Sequence, residues 1–128
     1  MAFTGRGKSR LGQSFSYAFC GLYYVVKHER NMKIHVVITI LVLVLAWLLH
    51  LPREDIFVIL LLIGGVLSLE AMNTAVEKVV DLVTEEFHPL AKQAKDIAAA
   101  AVLIYTIIAV VIGIAIFYKP ILNFFTNT

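Results

Sequence analysis

Cysteine, proline, tryptophan and charge are all scarce here. The 128 residues include one Cys, three Pro and one Trp. A lone Cys20 rules out a disulfide framework and a cysteine-ligated zinc site. Charged residues make up only 16%, against about 25% in an ordinary globular chain. Eleven basic and nine acidic side chains leave a net charge of +2, too little for binding a phosphate backbone, so no nucleic-acid partner is expected. Internal repeats and low-complexity linkers are missing as well. What fills the chain is apolar: 60% of the residues are hydrophobic. A soluble fold of this length cannot bury that much apolar surface, and the excess must face lipid. One small, all-α integral membrane domain over residues 1–128 is the expectation.

Three apolar stretches support it. Residues 34–51 and 97–118 are long enough to span, since a crossing helix needs about 20 residues. The third, beginning at Ile56, has 14 apolar residues before Glu70; it spans only by carrying Glu70 and Asn73 inward, to about residue 77. Lysine and arginine cluster ahead of the first span, at Arg6, Lys8, Arg10, Lys27, Arg30 and Lys33, and recur at Lys78, Lys92 and Lys95. The positive-inside rule then puts the N-terminus and the second connection in the cytoplasm, with the C-terminus outside. The apolar run starts too late for a signal peptide. Within residues 1–32, Leu11, Phe15, Ala18, Phe19, Leu22 and Val26 recur at helical spacing, as in a helix lying in the membrane interface. Ala91, Ala94, Ala98 and Ala101 line one face at the start of the last span and favour close helix packing.

Residues 70–81, EAMNTAVEKVVD, carry the chemical signal. At about 100° per residue, Glu70, Asn73, Glu77 and Asp81 fall within an arc of roughly 80° on one helical face. Fourteen residues of helix reach roughly 21 Å into a core about 30 Å thick, which leaves Glu70 inside the hydrocarbon. An ionisable group there costs on the order of 2.5–3.5 kcal/mol at the bilayer centre and less toward the edge. Interhelical hydrogen bonding is the structural explanation for one such group. A run of them calls for a polar cavity, a cation or a substrate.

Carboxylates so placed suit two tasks. A hard divalent cation takes one or two of them together with phosphate oxygens, and a carboxylate partly withdrawn from water serves as general base toward a hydroxyl. At the cytoplasmic interface the hydroxyl belongs to a lipid and the phosphate donor to a nucleotide. Lys95 and Asp96 would offer a phosphate-binding cation and a ribose acceptor. Residues 2–9, AFTGRGKS, resemble a phosphate-binding loop but lack the preceding strand that such a loop requires. His28, His35, His50 and His88 have no metal-ligand spacing, and Trp47 and Tyr118 read as interfacial aromatics.

The segment 70–81 resembles the signature of the prokaryotic diacylglycerol kinase family: Glu, two residues, Asn, Ser or Thr, a small residue, an aliphatic residue, Glu, then Asp four positions on. The likeness continues through residues 85–103 and back to GLYYVVKHERN at 21–31, covering nearly the whole chain. It implies a homotrimer of three transmembrane helices and an interfacial helix per chain, with active sites shared between chains. Carried over by position, Glu70 is the base toward the lipid hydroxyl, and Glu29 and Glu77 bind Mg2+. The nucleotide pocket draws on Arg10, Tyr17, Glu29, Glu77, Glu86, Phe87, His88, Lys95 and Asp96. Asn73 and Asp81 support the polar face, and Ala99 joins Glu70 on the lipid side. Cys20, Leu82 and Ala99 depart from the enterobacterial pattern, where lysine, arginine and serine stand. The version here is similar to the Gram-positive branch, which resembles undecaprenol kinases. The resemblance implies ATP-dependent phosphorylation of a membrane alcohol at the cytoplasmic membrane, undecaprenol first and diacylglycerol second. Without it, an ion- or proton-conducting oligomer or a purely structural trimer would account for the same carboxylates.

Overall fold

The computed structural model describes residues 10–126 and contains four helices: α1 (Arg10–His28), α2 (Arg30–Leu48), α3 (Arg53–Val83) and α4 (Pro89–Thr126). The loop-like segment at residues 2–9 lies outside the described residues, as do Arg6 and Lys8. Helices α2, α3 and α4 are each long and apolar enough to cross a membrane.

The sequence stripe on α1 points away from the rest of the chain. Leu11, Phe15, Phe19 and Leu22 are all exposed, and only Val25, near the C-terminal end, is buried. A single non-helical residue, Glu29 (φ −93°, ψ 125°), joins α1 to α2. Its N–H donates to the Val25 carbonyl at 2.9 Å and its own carbonyl accepts from Lys33 at 3.2 Å, so the junction leaves no backbone group unpaired at that residue.

The helices end where capping chemistry dictates, and their bounds differ from the apolar stretches. α2 stops at Leu48 instead of running to 51 because a Schellman turn closes it. Leu51 N–H donates to the Ala46 carbonyl at 3.1 Å, His50 N–H donates to that of Trp47 at 3.1 Å, and His50 takes a left-handed φ of 51°. Pro52 then precedes a first turn carrying Glu54 and Asp55, acids that favour a helix N-terminus, and α3 starts at once at Arg53. At its other end α3 runs to Val83, past the expected edge near 77. Thr84 breaks out, with its hydroxyl accepting from Glu86 N–H at 3.2 Å. His88 caps α4: its Nδ1 accepts from Leu90 N–H at 3.2 Å, and Pro89 occupies the first helical position. α4 extends well beyond 97–118 in both directions, because hydropathy marks the lipid-facing part of a helix and not its ends.

α4 packs chiefly against α3, and α2 closes the group. Toward the Schellman turn, Ala46, Ile59 and Phe117 form the buried core, with Val42, Ile63 and Ile121 packed around it. Gly65 leaves room for the Tyr105 ring of α4 against α3: a Cβ there would collide with the ring, whose hydroxyl donates to the Leu61 carbonyl at 3.2 Å. Of the alanine stripe, Ala91, Ala94 and Ala98 are partly covered and Ala101 is exposed.

Candidate active site

Helical periodicity brings the polar side chains of α3 to one side, and the fold buries them. Glu70, Asn73 and Thr74 are the buried polar residues of the described chain, at 3%, 7% and 4% exposure. Asn73 Nδ2 donates to Glu77 Oε1 at 3.2 Å, one turn along. Its Oδ1 is buried with no hydrogen-bond partner. The groups that bear on Glu70 are His35 and Asn31 from α2, Glu77 from its own helix, and Glu29 from the α1–α2 junction. Three carboxylates thus converge, two from α3 and one from the α1–α2 junction.

Glu29 is partly buried and forms an ion pair with Lys78, Nζ to Oε1 3.6 Å. The same ammonium lies 5.6 Å from the centroid of the Tyr24 ring, which stacks on His28 at 4.4 Å. Further along α3, Asp81 accepts from Lys95 Nζ at 2.5 Å and so ties α3 to α4. Asp96 pairs with Lys92 one turn away on α4. Asp81 shares the polar stripe of the sequence, yet its side chain is half-exposed and directed to α4.

Other candidates stand apart. Arg10 opens α1, whose 19 residues cover roughly 27 Å, so it lies about that far from the Glu29 end of its own helix. Tyr17 is exposed midway along it. Glu86, Phe87 and His88 occupy the exposed α3–α4 connection, held by the Thr84 and His88 caps. Ala99 is exposed on α4, and Cys20 is exposed on α1.

Asn31, His35 and Lys78 were not singled out as site residues from the sequence. Asn31 and His35 are four apart at the start of an apolar helix, a spacing that puts both on one face. That was the available signal. Lys78 had none, since its partners lie on other elements.

Two clefts run between the helices. One of about 540 Å³ runs between α2, α3 and α4, bordered by His35 and Thr39 at one end and Phe117 and Tyr118 toward the other; apart from Thr106 and Gly113 the rest of its lining is aliphatic. The second, of about 430 Å³, lies between α1 and α3 with Tyr24, Thr74 and Lys78 on its rim. No group of three or more His, Cys, Asp or Glu side chains among the described residues forms a metal cluster. The donor set nonetheless fits Mg2+, which needs only one or two carboxylates when phosphates and water complete its shell. Glu29 and Glu77 are carboxylates available for such a shell, and the unpaired Asn73 Oδ1 is a further hard oxygen beside Glu77.

The sequence matches the prokaryotic diacylglycerol kinase family over residues 16–117. It is 43% identical over 109 residues to the undecaprenol kinase of Bacillus subtilis, covering 85% of this chain and 89% of that protein. A diacylglycerol kinase of Synechocystis is 43% identical over 86% of this chain and 63% of its own length. The diacylglycerol kinase of Escherichia coli K12 is 34% identical over 87% of this chain and 91% of its own. A polar site buried among membrane-spanning helices and a family match across most of the length lead to one conclusion: the chain belongs to the prokaryotic diacylglycerol kinase family and is a membrane lipid kinase.

Proposed function

We propose that the chain transfers the γ-phosphoryl group of ATP to undecaprenol, acting as a homotrimer in the cytoplasmic membrane with its N-terminus inside and C-terminus outside. The observation that carries this is Glu70, buried at 3% exposure beside Asn73 and Glu77 and one helical turn from Val66, which borders an apolar cleft lined along α4 from Thr106 to Leu122. The undecaprenol kinase relative favours the single-chain alcohol. Diacylglycerol is the second reading, favoured by the diacylglycerol kinases among the relatives.

In this reading Glu70 takes the proton from the lipid hydroxyl. The lipid oxygen forms a bond to the γ-phosphorus as the bond from that phosphorus to the ADP oxygen breaks, and the proton stays on the Glu70 carboxyl until it is lost to water. Asn73 holds Glu77 in place through its amide. Glu29 and Glu77 hold Mg2+, which when bound neutralises charge on the phosphates. Lys95 contacts phosphate and Asp96 the ribose, both leaving their present partners to do so, and Glu86, Phe87 and His88 border the nucleoside. Arg10 and Tyr17 complete the pocket. The distance between Arg10 and the Glu29 end of α1 supports a pocket shared between chains, and the exposed apolar faces of α1 to α4 supply the surface for a neighbour and for lipid. Asp81 supports the α3–α4 geometry through Lys95, and Ala99 borders the lipid.

The test is transfer of labelled phosphate from ATP in mixed micelles, with undecaprenol against diacylglycerol and wild type against Glu70→Gln. Label in undecaprenol that disappears with Glu70→Gln is the expected result. Preference for diacylglycerol would keep the mechanism and overturn the substrate.

A further inference from the structure

Lys78 follows Glu77 directly on α3 yet does not behave as a solvated flank. Its ammonium turns to the α1–α2 junction, 3.6 Å from Glu29 Oε1 and over the face of Tyr24. The pair is loose, since a charge-assisted hydrogen bond closes to about 2.7–2.9 Å. It also lies at one of the two carboxylates that the preceding section assigns to Mg2+. We propose that Lys78 is a resident counter-cation for Glu29, displaced when the metal–nucleotide complex arrives and then engaged with the nucleotide phosphates. The inference rests on the magnesium reading above.

The argument is one of charge and reach. Glu77 from the same helix and Glu29 from the α1–α2 junction both bear on Glu70, and like charges gathered this way repel unless a cation lies among them. Lys78 is a cation that the fold itself supplies there. With the Glu29 carboxylate engaged by a divalent ion, Lys78 would lose the attraction that holds its ammonium and would be free to turn to the phosphates of an incoming nucleotide. Lysine suits this exchange: it is a mobile point charge on a flexible stem, half-exposed here, with no fixed bidentate geometry to break. Its position on the rim of the α1–α3 cleft leaves room for it to swing.

Such a residue has opposite effects on two ligands, which a structural role does not. Manganese(II) binding to the detergent-solubilised protein without nucleotide, followed by electron paramagnetic resonance, should tighten in Lys78→Met by up to about fivefold, the range an exposed ion pair allows. KM for ATP in the same variant should rise several-fold while kcat is held, and Lys78→Arg should restore both values toward wild type. Weakening of both ligands together, or no change in either, would overturn the inference. Glu29→Gln separates the two layers: if it leaves manganese binding intact, the metal reading falls and this inference with it. If it abolishes binding and Lys78→Met moves nothing, only the role of Lys78 is lost.

Discussion

The two halves of α3 do opposite things with the same helical geometry. Toward its start, Ile59 packs with Ala46 and Phe117 in an apolar core. Beyond Val66 the buried positions become Glu70, Asn73 and Thr74. The first half holds helices together through shape. The second keeps polar groups out of water at a cost to stability. Gly65 lies between them, where the Tyr105 ring closes against α3.

Substitutions in each half should therefore separate rate from stability. Glu70→Gln should lower phosphate transfer by about 10²–10⁴-fold, the contribution of a general base, and leave thermal stability unchanged or raised. A parallel loss of folding would erase the contrast. Ala46→Leu should overpack the other half and cost about 1–3 kcal/mol, read as a lower thermal midpoint in detergent with KM unaltered in the protein that remains folded. At the Schellman turn, His50→Gly should relieve the left-handed backbone at φ 51° and raise stability by about 1 kcal/mol, without effect on the kinetics. Smallest of all, Asp81→Asn removes an exposed α3–α4 ion pair and should cost at most about 1 kcal/mol, an effect that fades at high salt.

Periodicity made much of this legible in the sequence. The apolar stripe of α1, the three spanning helices and the side-by-side placement of Glu70, Asn73 and Glu77 all follow from spacing along single helices. Contacts between elements did not follow from it. Asn31 and His35 matter because α2 lies against α3, and Lys78 because α1 ends beside it. Glu29 was one charge among several next to the membrane until the family resemblance raised it. Asp81 shares the face of Glu70 on a helical projection, and only the fold reveals that its side chain pairs with Lys95 of α4. Helix ends were hidden too, since capping by Thr84 and His88 depends on turns that hydropathy does not report.

The one-residue junction at Glu29 has a mechanical consequence. With helix on both sides and its backbone groups engaged in both, the angle between α1 and α2 turns on the torsions of this single residue. The carboxylate therefore sits on a pivot, with α1 as a lever roughly 27 Å long. A change in those torsions would re-aim the Glu29 side chain relative to α3, so the placement of this carboxylate and the angle between α1 and α2 are set together.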